Sequence, residues 1–143
     1  TLLKISHWQR IPSDMAELDV ELRARTKNLK LPKTAEGYQN LISQAAMLSH
    51  RLAVVHPFEN GNGRMSRLLL NGVLLRAGLP EIAIKKAKSR YLRALRQADD
   101  GDLGPLEALI SDGLFETQQK SYQIRFRKQA ELVKRRHRQH GRN

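Results

Sequence analysis

The strongest constraint on this chain is a break between two helical runs. Tyr38, Leu41, Ile42, Ala45, Leu48, Leu52 and Val55 recur at helical spacing and lead directly to His56. Pro57 stops that run, because its ring removes a backbone donor and restricts the residue before it. His56 to Gly63 contains one Pro, two Gly and two Asn, so it reads as a loop. A second run, about Arg64 to Ala77, is apolar nearly all round through Leu68, Leu69, Leu70, Val73, Leu74 and Leu75. A helix of that kind is expected to be buried at the centre of a domain. The pattern predicts an all-α unit with a polar loop held between its two central helices.

The flanking segments extend this reading. Ser13, after Pro12, reads as the N-cap of an earlier helix with Met15, Leu18, Leu22 and Leu29 inward, broken at Leu31-Pro32-Lys33. Thr34 reads as the N-cap of the helix that reaches His56, and Gly78, with Pro80 beyond, as the stop of the next. Ser89 to Ala98 predicts a helix with Tyr91, Leu92 and Leu95 inward, and Asp99 to Gly104 a turn. Pro105 opens a last long helix. Strand candidates are few: Leu2 to Ile5 and Ile82 to Ile84. About six to eight helices are expected, in one domain over 1–117 with a basic helix or tail over 118–143.

Composition excludes several classes. There is no cysteine among the 143 residues, so neither a disulfide framework nor thiolate chemistry is available. No apolar run approaches the roughly 20 residues that span a bilayer. Thr1 to Met15 lacks the apolar core of a secretory signal. These features lead us to expect a cytoplasmic protein, or an effector delivered into a host cell. The net charge of +12 is concentrated at one end: Gln118 to Asn143 holds nine Lys/Arg and one acidic residue. Such a tail can meet nucleic acid, anionic lipid or an acidic protein, or simply be a solvated helix end. It has neither the aromatic interleaving of single-strand binders nor a zinc or recognition-helix signature, which places nucleic acid well behind.

The chemistry is concentrated in the loop. It ends at a helix N-terminus, where free backbone N–H groups and the helix dipole favour an anion. Gly61 and Gly63 let an anion approach the backbone closely. Arg64 and Arg67 are three apart, hence on one helix face, and guanidinium groups match phosphate oxygens in a bidentate fork. His56 supplies an imidazole, the side chain suited to exchanging a proton near neutral pH. Together these residues point to attack by a hydroxyl on a nucleotide phosphorus, a reaction that asks a protein mainly for alignment and charge stabilisation. No Gly-Lys-Ser/Thr follows the glycines, so this is not a Walker P-loop.

The stretch His56-Pro57-Phe58-Glu59-Asn60-Gly61-Asn62-Gly63-Arg64-Met65-Ser66-Arg67 resembles the signature of the Fic domain family, H-x-F-x-[D/E]-G-N-G-R-x-x-R. Every fixed position matches but one, and the likeness extends over roughly Pro12 to Ile110. The resemblance implies a protein adenylyltransferase that uses ATP and Mg2+ to place AMP on a Ser, Thr or Tyr hydroxyl of a target protein. By the same resemblance His56 is the base, and Phe58 anchors the loop in the core. Gly61, Asn62 and Gly63 form the phosphate-binding turn. Arg64 holds the β phosphate, Arg67 meets the γ phosphate, and Tyr91 lies near the nucleotide base.

The departure is Asn60, which stands where the family carries the Asp or Glu that binds magnesium. An amide oxygen can ligate the ion but brings no charge, and the adjacent Glu59 need not face it. This leaves a silent nucleotide-binding module as a rival reading. Gly63 stands where the related Doc kinases carry Lys, which favours AMP over phosphate transfer and makes a Doc-like phosphotransferase the lesser alternative. The family's inhibitory pattern, [S/T]-x-x-x-E-[G/N], has no good match. Ser13 to Glu17 is followed by Leu18, and Glu36-Gly37 has Pro32 at its Ser/Thr position. That leaves an inhibitory antitoxin, an inhibitory segment outside these residues, or no inhibitor at all. The family's target-clamping flap has one possible remnant, the Leu2 to Ile5 strand candidate within residues 1–11; Trp8 nearby reads as an ordinary core residue.

Overall fold

The computed structural model describes residues 3–84 and 88–140. A one-turn 3-10 helix (Trp8–Arg10) leads into five α-helices: α1 (Ile11–Thr26), α2 (Ala35–Val55), α3 (Asn62–Arg76), α4 (Lys88–Asp99) and α5 (Gly104–His140). The fold is all-α, with no strand among the described residues. The five α-helices among the described residues fall slightly below the expected six to eight; the chain from Gly104 to His140 is one long helix, as expected.

The α2–α3 hairpin is the centre of the molecule and its most extensive helix pairing. Thr34 caps α2 as expected, its hydroxyl accepting the Gly37 N–H at 3.0 Å. Ala45, Ala46 and Ala53 keep α2 slim on its buried side, so neighbouring helices approach closely. Leu48 of α2, Leu70 and Leu74 of α3, Leu95 of α4, and Leu106 and Ile110 of α5 meet in the core. Each contributes on the order of 1.5–3 kcal/mol on burial. Gly78 stops α3 as expected, at a φ of 88°, with Leu79 N–H returning to Leu74 O at 2.9 Å.

Four local expectations are corrected. Ser13 is not an N-cap: α1 begins at Ile11, with Pro12 in its first turn, and the Ser13 hydroxyl donates to Arg10 O. α1 ends at Thr26, so Leu29 packs on the core from the connection instead of from the helix. Arg76 of α3 explains the early stop, since its Nε donates to Thr26 O at 2.8 Å. α3 is not buried all round: Leu70, Val73 and Leu74 face inward, while Leu68 is 63% exposed and Met65 and Leu75 also face outward. Trp8 is no core residue; it is 70% exposed and tilts against His7. It sits in the one-turn 3-10 helix that precedes α1.

Two extended segments close over the hairpin. Of the Leu2–Ile5 strand candidate, Leu2 lies outside the described residues. Lys4 N–H donates to Asp99 Oδ2 at 2.9 Å, Ser6 N–H donates to Val54 O at 2.8 Å, and Asp99 Oδ1 lies 2.7 Å from His50 Nε2. Ile82 is held by the Asn71 carboxamide, which accepts its N–H at 2.8 Å and donates to its carbonyl at 3.0 Å. A side-chain amide thus does here what a neighbouring strand would do. Ile82 also rests against Gly113 of α5, where a Cβ would meet it at 3.0 Å. In α5, packing ends abruptly. Leu114 is buried, Phe115 is 61% exposed, and the stretch toward His140 is exposed along nearly all its described length. The 117/118 division falls inside this helix.

Candidate active site

A cavity of about 770 Å3 opens where α2 ends and α3 begins. The loop supplies His56, Asn60 and Gly61, and α3 supplies Asn62, Gly63, Arg64, Arg67 and Asn71. α4 adds Tyr91, Leu92 and Leu95, and the extended segments add Leu3 and Ile82 to Ile84. Every residue expected to take part in the site lines this one space. The sequence reading missed Leu3, Asn71 and Ile82 to Ile84 as wall residues. Asn71 did leave a signal: a carboxamide inside an otherwise apolar helix must find polar partners.

His56 caps the end of α2 in a left-handed conformation, φ 53° and ψ 53°, with its N–H bonded to Leu52 O at 3.1 Å. It is the one non-glycine residue with positive φ among the described residues. Such a backbone is strained for a residue bearing a Cβ and clusters at functional sites. Its Nδ1 lies 3.3 Å from Ala53 O. A carbonyl only accepts, so Nδ1 carries a proton, and in the neutral ring the lone pair is then on Nε2. That is the tautomer a proton acceptor needs.

The loop is braced by Asn62, and not by Phe58 as expected. Phe58 is 43% exposed. The buried Asn62 side chain accepts the Phe58 N–H at 3.0 Å and donates to Phe58 O at 2.6 Å. The amide oxygen and one amide N–H are therefore engaged by the loop, which fixes the side chain at the start of α3. Gly61 starts α3 at a φ of 90°, where a side chain would be strained. No side chain caps this N-terminus and no acid occupies its first turn, in contrast to the capped start of α2. Its first-turn donors stand at the cavity without an internal partner.

The guanidiniums fold back over the glycines. A Cβ at Gly61 would lie 3.5 Å from Arg64 Nη2, and one at Gly63 would lie 3.5 Å from Arg67 Nη1. Arg67 Cζ sits 5.5 Å from the centre of the Tyr91 ring. Tyr91 is only 1% exposed, and its hydroxyl lies 2.9 Å from Ser66 Oγ. Burial pushes the Tyr91 phenol up, while the Ser66 hydrogen bond and the Arg67 charge pull weakly the other way. The phenol therefore stays neutral at physiological pH. Asn60 is exposed at the cavity wall, which Glu59 does not join.

An imidazole, two guanidiniums and an uncapped helix start surround this one cavity. The Fic/DOC family model matches residues 3–74, half of the chain and the whole of the loop, and the chain belongs to that family. Curated relatives named Protein adenylyltransferase Fic, from Drosophila virilis and Drosophila melanogaster, are each 43% identical over 72 residues. Those residues are 50% of this chain and 15% of either relative, so the match spans a small part of their length. Fic-1 from C. elegans shares the fold at a TM-score of 0.73 with 24% identity, covering 90% of this chain and 37% of that one. A Fic domain containing signaling protein from Bacteroides thetaiotaomicron superposes at 0.62 with 31% identity, over 80% of this chain and 45% of that one.

Proposed function

We propose that this chain transfers AMP from ATP to a hydroxyl side chain of a target protein. The observation that carries the reading is the convergence of His56, Arg64, Arg67 and the uncapped start of α3 on one cavity. The adenylyltransferase names of the Drosophila relatives support it. In the reaction the target oxygen forms a bond to the α phosphorus and its proton passes to His56 Nε2. The bond from that phosphorus to the bridging oxygen breaks, and pyrophosphate leaves. The backbone donors of Gly61, Asn62 and Gly63 and the two guanidiniums hold the phosphate chain in line, the main service such a transfer requires. Gly63 leaves room for a phosphate beside Arg67.

Among the described residues no group of three or more His, Cys, Asp or Glu gathers to hold a metal. A magnesium ion would therefore be held mainly by the triphosphate, and the Asn60 amide oxygen at the cavity wall would be its protein ligand. The ion would neutralise charge on the phosphate oxygens. Asn60 also favours a second reading, a module that binds ATP and transfers nothing. No described helix is long and apolar enough to cross a membrane.

The test is label transfer from ATP labelled at the α phosphate, in lysate with magnesium, beside His56→Ala. Label on a protein band with the unaltered chain alone is the expected result. ATP binding without label, followed by transfer once Asn60→Asp is introduced, would instead assign the chain to the silent class.

A further inference from the structure

Tyr91 is expected from the family likeness to lie near the nucleotide base, yet its polar group is engaged elsewhere. Ser66 Oγ lies 2.6 Å from Ser49 O, a carbonyl that can only accept, so the Ser66 proton is committed there. The contact of 2.9 Å between Ser66 Oγ and Tyr91 is therefore donated by the phenol. The chain Tyr91 to Ser66 to Ser49 joins α4, α3 and α2 in that order, and it fixes the rotation of the ring. Arg67 follows Ser66 in sequence and lies over that ring. None of the ion pairs among the described residues includes Arg67. A guanidinium without a carboxylate partner would otherwise sample many rotamers.

We infer that Tyr91 is a positioning residue for Arg67: its ring, locked through Ser66 to Ser49, holds the guanidinium at the place the terminal phosphates occupy, and it makes no contact needed for the base. This rests on the phosphate-binding reading of the cavity. Its consequence is that Tyr91 matters equally to a nucleotide and to a bare phosphate chain. A residue that touches the base would matter to the nucleotide alone.

The experiment compares ATP with inorganic tripolyphosphate, titrated into the unaltered chain, Tyr91→Leu and Tyr91→Phe. It also follows the Arg67 Nε–Hε resonance, assigned by its loss in Arg67→Lys. An Arg held over an aromatic face has this proton shifted upfield by the ring current. In the unaltered chain we expect the shifted resonance. In Tyr91→Leu we expect its return to the bulk arginine position, with affinity for both ligands falling by the same factor, about tenfold. Tyr91→Phe keeps the ring, so its loss stays within about threefold, the scale of one hydrogen bond acting indirectly. In the Arg67→Lys background, Tyr91→Leu should add little further loss. A loss confined to ATP, or no loss in Tyr91→Leu, would overturn the inference. So would a bulk-position Arg67 resonance in the unaltered chain, and that decides the matter even if Tyr91→Leu fails to fold. Failure of the unaltered chain to bind either ligand would sink the phosphate-site reading instead, with the resonance still judging the stack.

Discussion

α2 and the far part of α5 are both long helices, yet they do opposite things with their apolar residues. α2 buries Leu41, Ile42, Leu48, Leu52 and Val55 in one stripe and delivers His56 to the cavity. From Phe115 onward α5 leaves Tyr122, Ile124, Phe126, Leu132 and Val133 exposed among Lys and Arg. Both stretches hold helical backbone, so helix formation is not what separates them. The difference is partnership. α2 has α1, α3, α4 and α5 against it, and helix stability in proteins comes chiefly from packing of that kind. The cavity's His56, Arg64 and Arg67 come from the end of α2 and from its packed partner α3, and none from the far part of α5.

The comparison can be broken at several points. His56→Ala should lower AMP transfer by at least about a hundredfold while ATP binding persists, since it removes only the proton acceptor. A kinetic assay beside calorimetric titration checks this. Leu70→Ala should lower unfolding free energy by about 2–5 kcal/mol in a urea titration, because that side chain is fully buried in the hairpin. Asn62→Ala should cost about 1–3 kcal/mol in the same titration, since it leaves Phe58's N–H and carbonyl without their brace. Tyr91 adds a smaller, alkaline effect. Its folded phenol ionises above the unfolded value of about 10. Its contribution is therefore intact below that pH and lost as pH rises through the folded value. Tyr91→Phe should remove this component from a stability profile taken between neutral and strongly alkaline pH. Phe126→Ala, out on α5, should change stability by less than about 0.5 kcal/mol. A larger loss there would mean that the far helix is packed after all.

Much of this was legible in the residues, for reasons that also mark where legibility ends. The apolar stripe of α2, the Thr34 cap and the Gly78 stop are local signals, and the structure realises each one. The residues named for the site all line one cavity, because seven of the eight lie close together in sequence, from His56 to Arg67, and only Tyr91 comes from elsewhere. What failed depends on neighbours distant in the chain. Leu68 and Trp8 look like core residues by pattern, yet both are largely exposed. Phe58 matched an anchor by position, but the anchoring is done by Asn62, whose carboxamide closes back on the loop. The Asn71 clasp and the Gly113 notch that set Ile82 join residues no spacing rule connects.

Residue 56 shows the fold and the reaction making contrary demands. Elsewhere among the described residues every left-handed turn is given to glycine, at positions 61, 78 and 101. At the end of α2 the backbone asks for glycine as well, and a side chain there costs about 1 kcal/mol. Glycine would suit the turn and leave nothing to take the proton. Selection for thermal endurance alone would therefore favour glycine at this turn, at the expense of the imidazole at the cavity.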